Sequence, residues 1–357
     1  MFCLPNAEQQ QLTATIRDFL NRYDCSTDVP DAALWSRMSE QLRLPALVIP
    51  ESYGGDGYGF PELVLVLEET GGALVNQPLL SVAVSAQALV HCTDEALKAS
   101  WLPRIAAGRS VGALALGQAC EHGRGCEVEV VSGDGEWSAY GTVPFVADGA
   151  AADFFVLAGR TAGVDGMYFL ESADAGAAVH ALAPLDPSRP LARLELDGAR
   201  VRPLTGAQRD LVPRVLATAA VGLAAEQVGG AQRCLDMAVE YAKTRYQFGR
   251  PIGGFQAIKH KCADMVVAVE SARSAVYHAA DLLDDVTADP TAMAAVAQIQ
   301  ASAAYLLAAG ANLQIHGGIG FTWDHPAHRY LRRARSSRTL FADPPTQLRR
   351  LADVVGI

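Results

Sequence analysis

Tyr241-Ala242-Lys243-Thr244-Arg245-Tyr246-Gln247-Phe248-Gly249-Arg250-Pro251-Ile252-Gly253 closes one helical pattern and, through Phe255-Gln256, opens another. Glycine and proline interrupt a helix, so the chain must turn here. A guanidinium beside such a turn can grip phosphate oxygens in pairs while backbone amides approach an anion. Upstream, the alanine-rich residues 215–244 read as one long helix. Downstream, residues 255–285 and 291–314 read as two more. A second segment of similar character follows: Gln314-Ile315-His316-Gly317-Gly318-Ile319-Gly320-Phe321-Thr322. It precedes a basic run from Arg329 to Arg338, read as a solvated face or interface surface, with phosphate contact as the alternative.

Ahead of this helical half the texture changes. From Val111 to about Arg202, short strands are expected at 128–131, 137–146, 154–158, 167–170 and 191–196, with Gly133-Asp134-Gly135 as a hairpin turn. Earlier still the pattern is helical: Leu12, Ile16, Phe19 and Leu20 share one face. Residues 50–57 break it, and helical patterns resume over 63–69, 80–91 and 95–107. Helix, strand, helix by region makes an α+β chain with segregated strands rather than a βαβ winding. Three domains are expected: helical 1–110, β 111–205 and helical 206–357.

The 357 residues are 50% hydrophobic and 19% charged, the mix of a globular chain. Lys and Arg number 29 against 39 Asp and Glu, a net charge of −10, so no overall basic footprint for nucleic acid or anionic lipid exists. No uninterrupted apolar run reaches membrane-spanning length, and residues 1–20 lack a signal pattern, so a cytoplasmic protein is expected. The seven cysteines form no CxxC pair and read as free thiols rather than a disulfide framework or metal site.

Taken together and in this order, the two glycine-bearing segments resemble the flavin-dependent acyl-CoA dehydrogenase family, and the resemblance covers nearly the whole chain. Residues 50–57 look like that family's PEEYGG loop, and Trp101-Leu102-Pro103 its WLP turn. The resemblance implies an N-terminal helical domain, a middle β-barrel or sandwich, and a C-terminal four-helix bundle. It implies FAD, with the ring in one subunit and the ADP half clasped by its neighbour. By that likeness Arg245, Gln247, Phe248, Gln256, Gln314, Ile315, His316, Gly317 and Gly318 are the ADP-holding residues. The family removes two hydrogens from the α and β carbons of an acyl thioester: a glutamate takes the proton and the flavin accepts the hydride.

The ring half departs from the family. Its T-E-P-x-x-G-S-D run is replaced by residues 116–125, and its W-x-(T/S) by Phe145-Val146-Ala147. The two usual glutamate positions hold Phe341 and the Val212-Pro213 neighbourhood. Asp343 is the nearby carboxylate, open to a base role or to a capping one. A retained ADP half with a degenerate ring half resembles the non-catalytic subunit of actinobacterial α2β2 acyl-CoA dehydrogenases acting on steroid side chains. That likeness implies a catalytic homologue as partner, an acyl-CoA bound mainly by that partner, and electron-transfer flavoprotein or a similar acceptor. The rivals are a homo-oligomeric enzyme using Asp343 and a flavin-free scaffold.

Overall fold

A computed structural model describes residues 5–25, 27–117, 126–206, 211–285 and 287–357. Five helices come first: α1 (Ala7–Leu20), α2 (Ala32–Glu40), α3 (Phe60–Gly72), α4 (Leu79–Val90) and α5 (Glu95–Ala106). α1 begins at a reciprocal cap, in which Asn6 Oδ1 accepts from Gln9 N and Gln9 Oε1 accepts from Asn6 N.

Eight strands follow: β1 (Gly112–Ala115), β2 (Glu129–Gly133), β3 (Glu136–Ala147), β4 (Phe154–Thr161), β5 (Val164–Glu171), β6 (Ala177–Ala181), β7 (Leu191–Arg200) and β8 (Arg202–Leu204). They form one mixed sheet in the order β6-β7-β3-β2-β4-β5-β8, with β1 parallel to β4. The β2–β3 turn is the expected one, since Asp134 and Gly135 both have positive φ, as a two-residue primed hairpin requires. Strand β4 is buried on both faces. Phe154, Val156 and Ala158 join the helical core, whereas Phe155 and Leu157 join a second core enclosed by the sheet with Val143, Leu194 and Leu170. The period of two thus sends alternate residues of one strand into two cores, which holds the sheet against the helices.

The remaining helices are α6 (Leu211–Thr244), α7 (Gln256–Asp284), α8 (Thr291–His316), α9 (Ala327–Ser337) and α10 (Pro344–Val355). Between α6 and α7 stands a two-stranded hairpin, β9 (Tyr246–Gln247) with β10 (Arg250–Pro251). By length and composition α6, and α8 with the turn after it, would suit a membrane. They are instead centres of the bundle, with 78% and 56% of their apolar windows buried. Helices α3 and α6 approach closely at glycines: a Cβ on Gly229 would lie 1.8 Å from Glu68 O, and one on Gly71 2.2 Å from Glu226 O. Cys25, Cys92, Cys126 and Cys234 are buried free thiols and Cys262 is half-buried.

Candidate functional site

Three helix ends converge at one end of the bundle. Arg245 follows α6, and its backbone is pinned on both sides: its N–H donates to Tyr241 O at 2.9 Å and its carbonyl accepts from Ile252 N at 2.8 Å. The hairpin then reverses at Phe248-Gly249, with φ of 53° and 76°. Those are primed-turn angles, and an aromatic residue adopts them only under strain. Phe248 is 89% exposed and touches Phe255 edge-on, while Arg250 lies over the Phe255 ring. Gln256 opens α7, whose N-cap residue Phe255 supplies no side-chain cap, while the N–H groups of Ile258 and Lys259 both donate to Phe255 O.

The second segment arrives from α8. Lys261 Nζ on α7 donates to Gln314 Oε1 at 3.1 Å, and the Tyr241 ring on α6 stacks on His316 at 4.3 Å. Ile315 and His316 are buried, and His316 donates from Nδ1 to Asn312 O at 2.9 Å. The His325 ring sits 4.2 Å away, and burial followed by the neighbouring His316 and His328 lowers its pKa. Gly317 turns the chain at φ 63°, and a Cβ on Gly317, Gly318 or Gly249 would meet nothing within 4 Å. The structure therefore brings the two sequence segments to one surface with open space at its glycines. Arg245, Gln247, Gln256 and Gln314 are exposed there, and the Arg245 guanidinium has no ion-pair partner among the described residues. This donor set suits the anionic tail of a nucleotide.

The other half differs. Residues 118–125, most of the stretch replacing the family's TEP run, lie outside the described residues. Ala147 is buried and offers no hydroxyl, and Phe145 is half-exposed. At the family's base positions, Phe341 is buried, and Val212-Pro213 lie in the first turn of α6. Phe341 and Ala342 both have positive φ, held by Gln298, whose Nε2 donates to Leu340 O and Ala342 O at 3.0 Å. Asp343 caps α10, accepting from Thr346 N at 3.0 Å. Among the described residues, those at the positions the resemblance assigns to the flavin ring and the base offer neither the hydroxyl and indole contacts nor a carboxylate aimed inward.

Sequence reading missed what fills the interior. Arg333 donates from Nε to Asp186 Oδ2 at 2.6 Å and from Nη2 to Ser188, with side chains only 4% and 2% exposed for the ion pair. Arg189 donates to Glu226 of α6, and Ser81 of α4 donates to Asp148 Oδ2 at 2.6 Å. Burial pushes the Asp148 carboxyl up from its ordinary value, only partly offset by Ser81 and Arg189. Burial would raise Asp186 as well, yet Arg333 and the Ser188 hydroxyl outweigh it and hold its pKa down. The expected solvated basic run is thus corrected at Arg333, which is buried because α9 turns this face onto the 186–189 loop. Arg332 instead donates to Leu185 O and lies over Trp323, and Arg329 pairs with Asp28. No cluster of three or more potential metal ligands occurs among the described residues.

Residues 6–109 match the acyl-CoA dehydrogenase N-terminal domain and residues 210–352 the C-terminal domain. The chain belongs to the acyl-CoA dehydrogenase family, flavoprotein oxidoreductases that use FAD on acyl-CoA. It is 35% identical to acyl-CoA dehydrogenase IpdE2 of Mycobacterium tuberculosis over 98% of both chains. It superposes on a chain of the ChsE4-ChsE5 complex from Mycobacterium tuberculosis with a TM-score of 0.91 and 28% identity, covering 100% of this chain and 99% of the other. A chain of a Tcur3481-Tcur3483 steroid ACAD variant gives 0.90 and 26%, covering 98% of each.

Proposed function

We propose that this chain is the non-catalytic partner in a heteromeric, FAD-dependent acyl-CoA dehydrogenase, and that it holds the ADP half of a flavin whose ring sits in a catalytic homologue. The observation that carries this reading is the contrast between an exposed set of nucleotide-suited side chains, with Arg245 free of any ion pair among the described residues, and a second half whose described residues offer neither base nor ring contacts. Likeness to chains of a ChsE4-ChsE5 complex and of a steroid ACAD supports a two-chain assembly, an α2β2 tetramer in our reading. It also supports a bulky substrate, such as a steroid side-chain thioester.

When bound, FAD would supply the hydride acceptor for α,β-desaturation. In this reading Arg245 pairs the pyrophosphate, Gln256 and Gln314 donate around it, and the backbone of residues 315–318 lines the same surface. Gln247 and Phe248 reach the neighbour from the hairpin. Lys261 and Tyr241 keep the α8 end in register by holding Gln314 and His316. The partner supplies the proton-abstracting carboxylate and most of the acyl-CoA site. Electrons then pass to an electron-transfer flavoprotein or similar acceptor, in the cytoplasm.

Co-expression with a glutamate-bearing homologue tests the reading. A stable yellow complex is expected, and Arg245→Ala should cut its FAD occupancy several-fold while leaving the melting transition of this chain in place. A yellow, active homo-oligomer of this chain alone would overturn the proposal in favour of Asp343 or another base. Unchanged occupancy in Arg245→Ala would remove the clasp.

A further inference from the structure

Histidines gather at the hairpin end of the bundle: His260 beside Gln256, His316 and His325 ring against ring, and His328 edge-on to Trp323. At two of them the backbone fixes which nitrogen carries the proton. His316 faces the carbonyl of Asn312, so its Nδ1 is a donor. His325 is the reverse. The N–H of Ala327, the first residue of α9, points at His325 Nδ1 from 3.2 Å, and a ring nitrogen that accepts a hydrogen bond holds no proton of its own. His325 is therefore neutral, with its proton on Nε2. In that form it claims the first N–H of α9 and closes a row of rings that runs through His316 to Tyr241 on α6.

The surroundings of this half-buried ring oppose a second proton. The N-terminus of a helix carries partial positive charge. Burial, then His316 facing it from α8 and His328 from α9, lowers the His325 pKa from its ordinary value. His328 is itself flanked by Arg329 and Arg332, and Asp28, the carboxylate on that side, is paired with Arg329 at 3.5 Å. Asp324, next to His325 in the chain, is exposed. Helix α9 has separate anchors, since Tyr330 donates to Gly72 O at 2.7 Å and Arg333 is tied to Asp186. The turn before it is held by local bonds, Thr322 N to Ile319 O at 3.1 Å and His325 N to Thr322 O at 3.4 Å, with Phe321 and Trp323 largely exposed. Loss of the His325 contact thus frees the turn and not the helix.

We propose that the 317–325 turn is a latch, closed by neutral His325 and opened when that ring takes a second proton, so that mild acid loosens the backbone at Gly317 and Gly318. One solvent proton adds at Nδ1, and no other covalent bond changes. Because the closed turn resists this proton, opening is favoured as pH falls through the ordinary histidine value of about 6.5 and not above it. The latch belongs to this chain alone; its effect on a nucleotide rests on the reading given above.

Hydrogen exchange of the full-length chain at pH 7.5 and pH 5.5, corrected for intrinsic rates and read by mass spectrometry, tests the latch. Protection of the 317–327 amides should fall several-fold at pH 5.5, with a ceiling of about tenfold for one proton, while α9 beyond Tyr330 stays protected. His325→Asn offers the Ala327 N–H an oxygen that does not titrate and should keep the turn closed at both pH values. His325→Ala, with no acceptor, should show the open turn at both. Protection unchanged by pH in the parent, the same pH response in His325→Asn, or a closed turn in His325→Ala would overturn the proposal. In the complex with a glutamate-bearing homologue, FAD should be lost several-fold faster at pH 5.5, and His325→Asn should remove most of that difference. An opened turn without faster loss, or tighter retention in acid, would overturn the link to the nucleotide. If Arg245→Ala leaves FAD occupancy unchanged, the division of labour proposed above falls instead, and the exchange data still decide the latch.

Discussion

The hairpin end of the bundle and the interior beneath α4 and α9 are built on the same long helix, α6, yet they treat polar groups in opposite ways. At the hairpin end, Arg245 and Gln247 stand in solvent and the glycines border open space. Inside, Arg189, Arg333 and Asp186 are buried and paired, Arg189 with the half-buried Glu226, and Ser81 and Asp148 are tied to each other. A surface that holds a ligand, as proposed for the hairpin end, leaves donors free for it. The interior pairs its charges with one another, because an unpaired buried charge is too costly to keep.

The contrast can be broken most directly at Arg333. Arg333→Ala leaves Asp186 buried without its partner and should cost about 3–5 kcal/mol in urea unfolding. A loss below about 1 kcal/mol would show that the interior is wet and not closed. Asp148 sharpens the point through pH. Its folded pKa is raised, so the folded state holds the proton more tightly, and stability falls as pH climbs from the ordinary aspartate value of about 3.9 through the raised one. Asp148→Asn should therefore match the parent near pH 4 and exceed it increasingly above, in paired unfolding curves at pH 5 and pH 8. A constant difference between the two pH values would contradict the buried-acid assignment.

Smaller effects are expected on the open side. Phe248→Asn suits the left-handed turn better and should stabilise the isolated chain by up to about 1 kcal/mol, read by thermal melting, while weakening the two-chain assembly proposed above. Arg245→Ala should change the stability of the isolated chain by no more than about 0.5 kcal/mol, since its side chain has no ion-pair partner to lose. A large destabilisation there would make Arg245 a structural residue and erase the contrast.

How much of this was legible beforehand follows from where the signals lie along the chain. The candidate site residues sit in two short segments with glycine beside them, and the long alanine-rich helices place both segments at one end. The Gly133-Asp134-Gly135 turn was equally local, and the strands on either side of it were expected within a few residues. Strand β1 was missed because Gly112–Ala115 is buried along its whole length and so shows no alternation. The ion network was invisible for a different reason. Ser81, Asp148, Asp186, Arg189, Glu226 and Arg333 come from five separate parts of the chain and share no spacing. Arg333 in particular was hidden within a run of arginines, and only the packing of α9 separates it from its solvated neighbours.

The bare aromatic at the hairpin tip has a consequence for how the protein must be made. With Phe321, Trp323 and Val267 also largely uncovered, a copy made in excess of the partner proposed above would carry adhesive greasy surface into a crowded cell. If the proposed two-chain assembly holds, synthesis of both chains in step, at equal dosage, is the simplest way to keep such a surface from finding the wrong company.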